Sequence, residues 1–262
     1  MTEHGKQAWA DSYTLLCERC GYVIEGLAED SVCPECAKPV AESMPGRRPG
    51  TPWQQRRGLR PMLHTWWLVV RHPLRTLDTM TVARPRMRLL LLLAALPFGQ
   101  LMGIAMILLL EVEHPIPNGS MSWTPGSAMG SLSLGAIIGL ALTPLAALAL
   151  WLLTWIEARG LVLFGAQAGT RMHPDLAHTI VRHGAVGWLL AGLGATLILP
   201  LAWSYESEMG LIYGHPKYGG PADWTIALAT AGVFLAILGF LAFECFAWLG
   251  LRRCKFANRS RT

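Results

Sequence analysis

The sequence predicts an all-α integral membrane protein, on three observations. Four long apolar stretches lie beyond residue 88, Lys and Arg alternate with acidic residues in the loops between them, and a short acidic head carries two pairs of cysteines. Hydrophobic types make up 52% of the 262 residues and charged types only 15%, against about 25% charged in ordinary soluble domains. The charge that remains is unevenly placed. Residues 1–46 hold three Lys/Arg against eight Asp/Glu, a net of −5, whereas residues 47–88 hold ten Arg against one Asp, a net of +9. The formal +5 is a sum over unlike parts and not a nucleic-acid signature.

The head, residues 1–46, contains Cys17, Cys20, Cys33 and Cys36 in a Cys-x2-Cys-x12-Cys-x2-Cys pattern. A two-residue gap lets both sulfurs of a pair point at one ion while backbone amides turn toward them. Four thiolates suit tetrahedral zinc, and also a single iron, because soft sulfur ligands do not separate the two. Gly21 follows the second cysteine, where a positive φ is often required. Ala37 takes the matching place in the second pair, where a left-handed conformation strains alanine. Tyr22, Val23, Ile24, Leu27 and Val32 are the main candidates for a core. They are few, and modules below about 40 residues usually fold only around a metal or a bridge. Cys245 and Cys254 are too separate to suggest a disulfide framework.

Residues 47–61 read as a basic linker rich in proline and glycine. Residues 62–88 read as an interfacial amphipathic segment. In it Trp66, Trp67, Arg71 and Arg75 are candidates for contact with the inner leaflet, and His72-Pro73 should break the helix. The aromatics cluster beside apolar residues rather than among the arginines, so nucleic acid is not expected as a partner.

Residues 89–251 read as a four-helix membrane domain with spans at 89–110, 128–154, 185–203 and 224–251, each near the ~20 residues that a crossing needs. The third is read as continuing a helix begun near Pro174. Trp123, Trp155, Trp203 and Trp224 fall at the predicted edges, as an aromatic belt requires. The loops after the first and third spans are poor in Lys/Arg, while the loop 155–183 and the basic tail 252–262 are rich in them. Both termini are therefore expected in the cytoplasm. That compartment is reducing and favours metal over disulfide.

On the second span Ser127, Ser131, Gly135, Gly139, Thr143 and Ala147 repeat every fourth residue, a ridge on which another helix can pack closely. Gly99-x3-Gly103 on the first span and Gly232-x3-Ala236 on the fourth offer shorter matches. Pro97 and Pro144 are expected to kink their helices. Gln100 and Glu244 are the candidate intramembrane polar residues, Glu244 with an arginine such as Arg159 as its expected partner. His173, His178 and His183 step by five residues and cannot share one helix face, which argues against a second metal site.

Two resemblances follow from quoted segments. "CERCGYVIEG…CPEC" resembles a zinc ribbon of the rubredoxin-like type, and especially the rubredoxin-like module of rubrerythrins, which holds iron. The paired Glu-x-x-His motifs of the rubrerythrin bundle are missing, and only Glu111–His114 has that form. Zinc is therefore the expected metal and iron the alternative. Beyond the head, "VVRHPLRTL" and "FGAQAGTRMHPDLAHTIVRHG" resemble the YIP family of small multi-pass proteins. That resemblance implies a membrane scaffold or trafficking-type interaction protein without catalytic residues.

The sequence thus reads as four transmembrane helices with a small N-terminal zinc ribbon, in the inner (cytoplasmic) membrane. The expected function is non-catalytic. The ribbon would serve as a docking module for a protein partner or for self-association, and membrane lipids would be the other partners. Nothing resembles a nucleophile–base pair, a phosphate loop or a haem ligand pair. Two alternatives stay open: a membrane redox protein with an iron site, and a small transporter regulated by its ribbon.

Overall fold

The structure is a computed structural model that describes residues 13–56, 58–82, 88–113, 125–212 and 223–258, without the side chains of 88–89, 107–113, 125–132, 200–212 and 223. Among the described residues it is helical and has no strand. The helices are α1 (Pro52–Gln55), α2 (Leu59–Arg71), α3 (Pro73–Thr79), α4 (Arg88–Glu113), α5 (Pro125–Gln167), α6 (Pro174–Gly184), α7 (Val186–Ile212) and α8 (Asp223–Arg253). The chain divides into two compact units. One comprises Met1–Arg86, Leu153–Val186 and Ala242–Thr262; the other comprises Met87–Leu152 and Gly187–Leu241.

Three apolar helices are long enough to cross a membrane: Ser133–Gln167, Pro174–Leu199 and Trp224–Arg253. Four spans were expected. The first, within α4, has its described apolar stretch at Leu90–Met106, shorter than those three. The helices also run past the expected edges. α5 has 43 residues, about 65 Å of helix, because Ile156, Leu161, Leu163 and Phe164 prolong an apolar helical pattern where a loop was expected. α7 continues to Ile212 through Glu206, Glu208 and Met209, which are good helix formers though not apolar enough to extend a span. Pro97 and Pro144 both lie inside continuous helices.

In the membrane-type unit, backbones meet at glycines. A Cβ added to Gly99 of α4 would stand 2.6 Å from the Gly139 carbonyl and from Thr143 Oγ1 of α5. One added to Gly139 would stand 2.8 Å from Gln100 Cα. α8 meets α7 in the same way: a Cβ added to Gly232 would stand 2.5 Å from the Gly194 carbonyl, and one added to Gly239 2.5 Å from the Gly187 carbonyl. A Cβ added to Gly192 of α7 would stand 2.8 Å from the Ala94 carbonyl of α4. Such contacts gain dispersion where no hydrophobic drive exists between helices.

In the ribbon-bearing unit, the stretch expected as a linker is folded. Gly50 has φ +80 and donates its N–H to the Thr79 carbonyl at 2.9 Å. Gln54 of α1 accepts from the Thr51 and Thr81 amides at 3.0 and 3.1 Å and donates to the Thr81 carbonyl at 2.7 Å. α2 stops at Arg71 and α3 starts on Pro73, since the residue before a proline avoids the helical region; His72 sits at φ −138, ψ 60. α2 turns Met62, Thr65, Trp66 and Val69 inward. Trp66 is therefore not at the leaflet as expected. It is 5% exposed and packs edge-on against Trp53, with ring centroids 6.5 Å apart. Trp67, Arg71 and Arg75 face outward. Helix α6 joins this core through His183. Its Nδ1 donates to the Thr179 carbonyl at 2.8 Å, which leaves Nε2 to accept from the Thr51 hydroxyl at 3.0 Å.

Candidate metal centre

The four cysteines come together as the spacing requires. Their sulfurs all lie within 4.8 Å of one another, with Cys17–Cys36 and Cys20–Cys33 at 3.5 Å. Those separations are far too long for a disulfide, whose S–S bond is about 2.05 Å. They fit a tetrahedral ion: a metal–sulfur bond of about 2.3 Å implies an edge of about 3.8 Å. Among the described residues this is the only cluster of three or more metal-ligating side chains.

The geometry comes from a sixteen-residue internal repeat. Cys17 N–H donates to the Tyr22 carbonyl at 2.8 Å, Gly21 N–H to the Cys17 carbonyl at 2.8 Å, and Ile24 N–H to the Leu15 carbonyl at 2.9 Å. Sixteen residues on, Cys33 donates to Lys38 at 2.8 Å, Ala37 to Cys33 at 2.9 Å and Val40 to Ser31 at 3.0 Å. The isolated bridges Leu16–Val23 and Val32–Pro39 keep the same offset. The tight turn after each second cysteine demands a left-handed residue. Gly21 supplies φ +82, and Ala37 is held at φ +57, the one positive φ outside glycine among the described residues.

The core of the head is Cys17, Ile24, Cys33 and Val40, with Leu15, Leu27, Cys36 and Met44 packed against it. Of the five apolar residues expected inside, Ile24 and Leu27 are there. Tyr22, Val23 and Val32 are 40, 44 and 55% exposed. Val23 and Val32 face outward beside the buried Ile24 and Cys33, whereas Leu16, the bridge partner of Val23, is fully buried.

Electrostatics inside the cluster are unequal. Burial opposes ionisation of Cys17, but the amides of Cys20 and Arg19 and the neighbouring sulfurs outweigh it and lower the thiol to about 7. Burial raises Cys20, the sulfurs of Cys33, Cys36 and Cys17 add to it, and the thiol stands at about 12. Four thiolates this close repel one another unless a cation sits among them, so the donor set fits a divalent or trivalent metal.

The head is seated by residues far away in sequence. Glu18 receives a two-pronged pair from Arg48, Nε to Oε1 at 3.1 Å and Nη2 to Oε2 at 2.8 Å. The Arg48 Nη1 also donates to the Leu77 and Met80 carbonyls at 2.9 and 3.1 Å, which ties the head to the end of α3. Burial works against the Arg48 charge, yet Glu18 prevails and raises its pKa further. Arg171, after α5, donates to the Thr14 carbonyl and, through Nη2, to Asn258 Oδ1 at 2.7 Å. The Phe256 ring covers Gly21, where an added Cβ would stand 2.8 Å from it. Cys254 is buried over the Leu77 carbonyl at 3.8 Å; burial raises its thiol to about 11, so it is a packing residue rather than a nucleophile.

None of these anchors was picked out from the sequence. The acidic head beside an arginine-rich stretch was a signal for Glu18–Arg48. Asn258 and Arg171 gave none, because their partners lie 242 and 157 residues away.

The remaining sequence candidates are dispersed. Gly135, Gly139 and Thr143 of the ridge are buried and Ala147 is half-buried; the side chains of Ser127 and Ser131 lie outside the described residues. Gln100 reaches the Ala136 carbonyl with Nε2 at 3.5 Å. Glu244 is half-buried on α8. Trp155 and Trp224 are exposed, while Trp123 and the side chain of Trp203 are outside the description. His173 begins α6, its Nδ1 accepting from the Asp175 amide at 3.2 Å, apart from His183 in its own pocket.

Among the described residues, three helices long and apolar enough to cross a membrane and a four-cysteine cluster that could hold a metal ion place the chain in the class of membrane-type proteins with a cysteine-rich head. No family model, curated protein or solved structure matches it, so the resemblances to rubredoxin-like ribbons and to the YIP family have no counterpart in those comparisons.

Proposed function

We propose that the chain is a non-catalytic, four-span inner-membrane protein whose cytoplasmic zinc ribbon is a docking module for a protein partner or for assembly. The observation that carries the topology is that Arg171 bonds both to the Thr14 carbonyl and to Asn258 Oδ1. Residues in direct contact lie on one side of a membrane, so the chain crosses an even number of times between each pair. Between Arg171 and Asn258 lie the apolar helices Pro174–Leu199 and Trp224–Arg253. Between Thr14 and Arg171 lies Ser133–Gln167, and parity then requires a second crossing, for which α4 is the available helix. The Lys/Arg-rich loop and tail favour the cytoplasm for that side.

A non-catalytic role is supported by the closed donor set, which leaves the metal no open position for a substrate. A docking role is supported by Tyr22, Val23 and Val32, which face outward from a head that is itself held firmly. A photo-crosslinking residue at Val32 should give one discrete adduct in cells, lost when Val23→Asp is added; no adduct would count against docking. The redox reading is favoured by one observation, the exposure of Cys20, which brings an edge of the site to solvent.

A further inference from the structure

Three exposed tryptophans each carry an arginine folded over the ring. The guanidinium carbon of Arg71 stands 5.4 Å from the Trp67 centroid, that of Arg159 5.0 Å from Trp155, and that of Arg252 4.3 Å from Trp248. The indoles are 58, 39 and 51% exposed. The pairs sit on three different helices, always with the arginine four residues after the tryptophan, and all belong to the ribbon-bearing unit. Four residues is the helical spacing that places two side chains on one face.

Their depth fits the edge of a bilayer. Trp155 stands where the uncharged stretch of α5 ends, just before Glu157 and Arg159, and charges of this kind stay at or beyond the edge of the hydrocarbon core. Trp248 lies in the closing turns of the apolar helix Trp224–Arg253. On α2, Leu59, Leu63, Trp67 and Val70 form an outward apolar stripe. A guanidinium stacked on an indole is partly desolvated and held flat. Its N–H edge remains free for two oxygens of a phosphate. The ring beneath it occupies the headgroup level, as interfacial tryptophans do.

We propose that these three Arg-on-Trp pairs are binding sites for anionic phospholipid headgroups, which gather negatively charged lipid around the ribbon-bearing unit. The proposal rests on the membrane-spanning reading. It deepens that reading by naming the lipid class and the residues that select it.

The test uses the full chain in vesicles of equimolar phosphatidylcholine and phosphatidylglycerol. Spin-labelled probes of each lipid report which is preferentially immobilised at the protein. The expected result is a preference of roughly fivefold for phosphatidylglycerol that weakens with salt. It should be lost in Arg71→Gln/Arg159→Gln/Arg252→Gln and reduced in Trp67→Leu/Trp155→Leu/Trp248→Leu, which keeps every charge. Arg47→Gln/Arg56→Gln/Arg60→Gln removes the same charge from exposed arginines outside these pairs and should leave the preference in place. Equal losses in the two arginine triples would reduce the effect to general charge attraction and overturn the proposal. So would an absence of preference in the unaltered protein. Failure of the protein to float with the vesicles would instead overturn the membrane reading beneath it.

Discussion

The side-chain amide of Asn258 brackets the backbone of Leu16, accepting from its N–H at 3.0 Å and donating to its carbonyl at 2.7 Å, across 242 residues. The same amide donates its second hydrogen to the Ser43 carbonyl at 2.7 Å and accepts again from Arg171. Both donors and both acceptor directions of the amide are thereby used.

Removing this bracket strands buried backbone groups. Asn258→Ala should destabilise the head by about 3 kcal/mol, since each orphaned buried group costs roughly 1–3 kcal/mol. Limited proteolysis between residues 13 and 50 reads the effect. Unchanged protection would show that the tail merely lies against the head.

Arg48 predicts a second loss. Arg48→Lys keeps the charge but not the fork that spans Glu18, Leu77 and Met80. Breaking a buried pair costs about 3–5 kcal/mol, and Arg48→Ala should approach that range, with the lysine variant between it and the wild type. The measurement is thermal unfolding of the head, followed by release of its metal.

The internal repeat predicts opposite signs for one exchange. Ala37→Gly relieves a left-handed alanine at φ +57 and should stabilise the head by about 1 kcal/mol. Gly21→Ala imposes the same strain at φ +82 and drives a methyl into the Phe256 ring, and should destabilise it. Denaturant titration of both variants checks the pair.

The pH dependence of metal binding follows from the thiols. Cys20, at about 12, gives up a proton to the metal at any physiological pH. Cys17, at about 7, is already a thiolate above that pH and gives up none there. As pH falls through about 7, one further proton must be displaced, and affinity declines more steeply. Calorimetry in buffers of different protonation heat should show proton release rising by about one per metal across that window.

In the membrane-type unit, Gly139→Leu should disrupt packing, because even a Cβ would stand 2.8 Å from Gln100 Cα. Leu140→Ala, at a position 63% exposed, should be tolerated. Equal melting of the two variants in detergent would contradict a close α4–α5 approach.

The metal cluster was legible because ligand spacing is local: two residues between cysteines fix the direction of both sulfurs whatever surrounds them. The left-handed sites at residues 21 and 37 were legible for the same reason. The break at His72-Pro73 was too, since a proline constrains its own neighbour. Periodicity failed where one helix has two apolar faces. Trp66 and Trp67 are adjacent and alike in sequence, yet one meets Trp53 and the other faces outward, and only the tertiary partner decides which. The seat of the head was invisible because Asn258 and Arg171 act at long range through single polar side chains, which leave no pattern.

The central claim, a closed structural metal site on a non-catalytic head, is tested most directly by elemental analysis of the purified full chain together with its visible spectrum. The account predicts one zinc per chain and no visible absorption, with the zinc lost in Cys33→Ser while the protein remains in the membrane fraction. About one iron per chain, with a colour that bleaches on reduction and returns on oxidation, would contradict it and put the redox reading in its place.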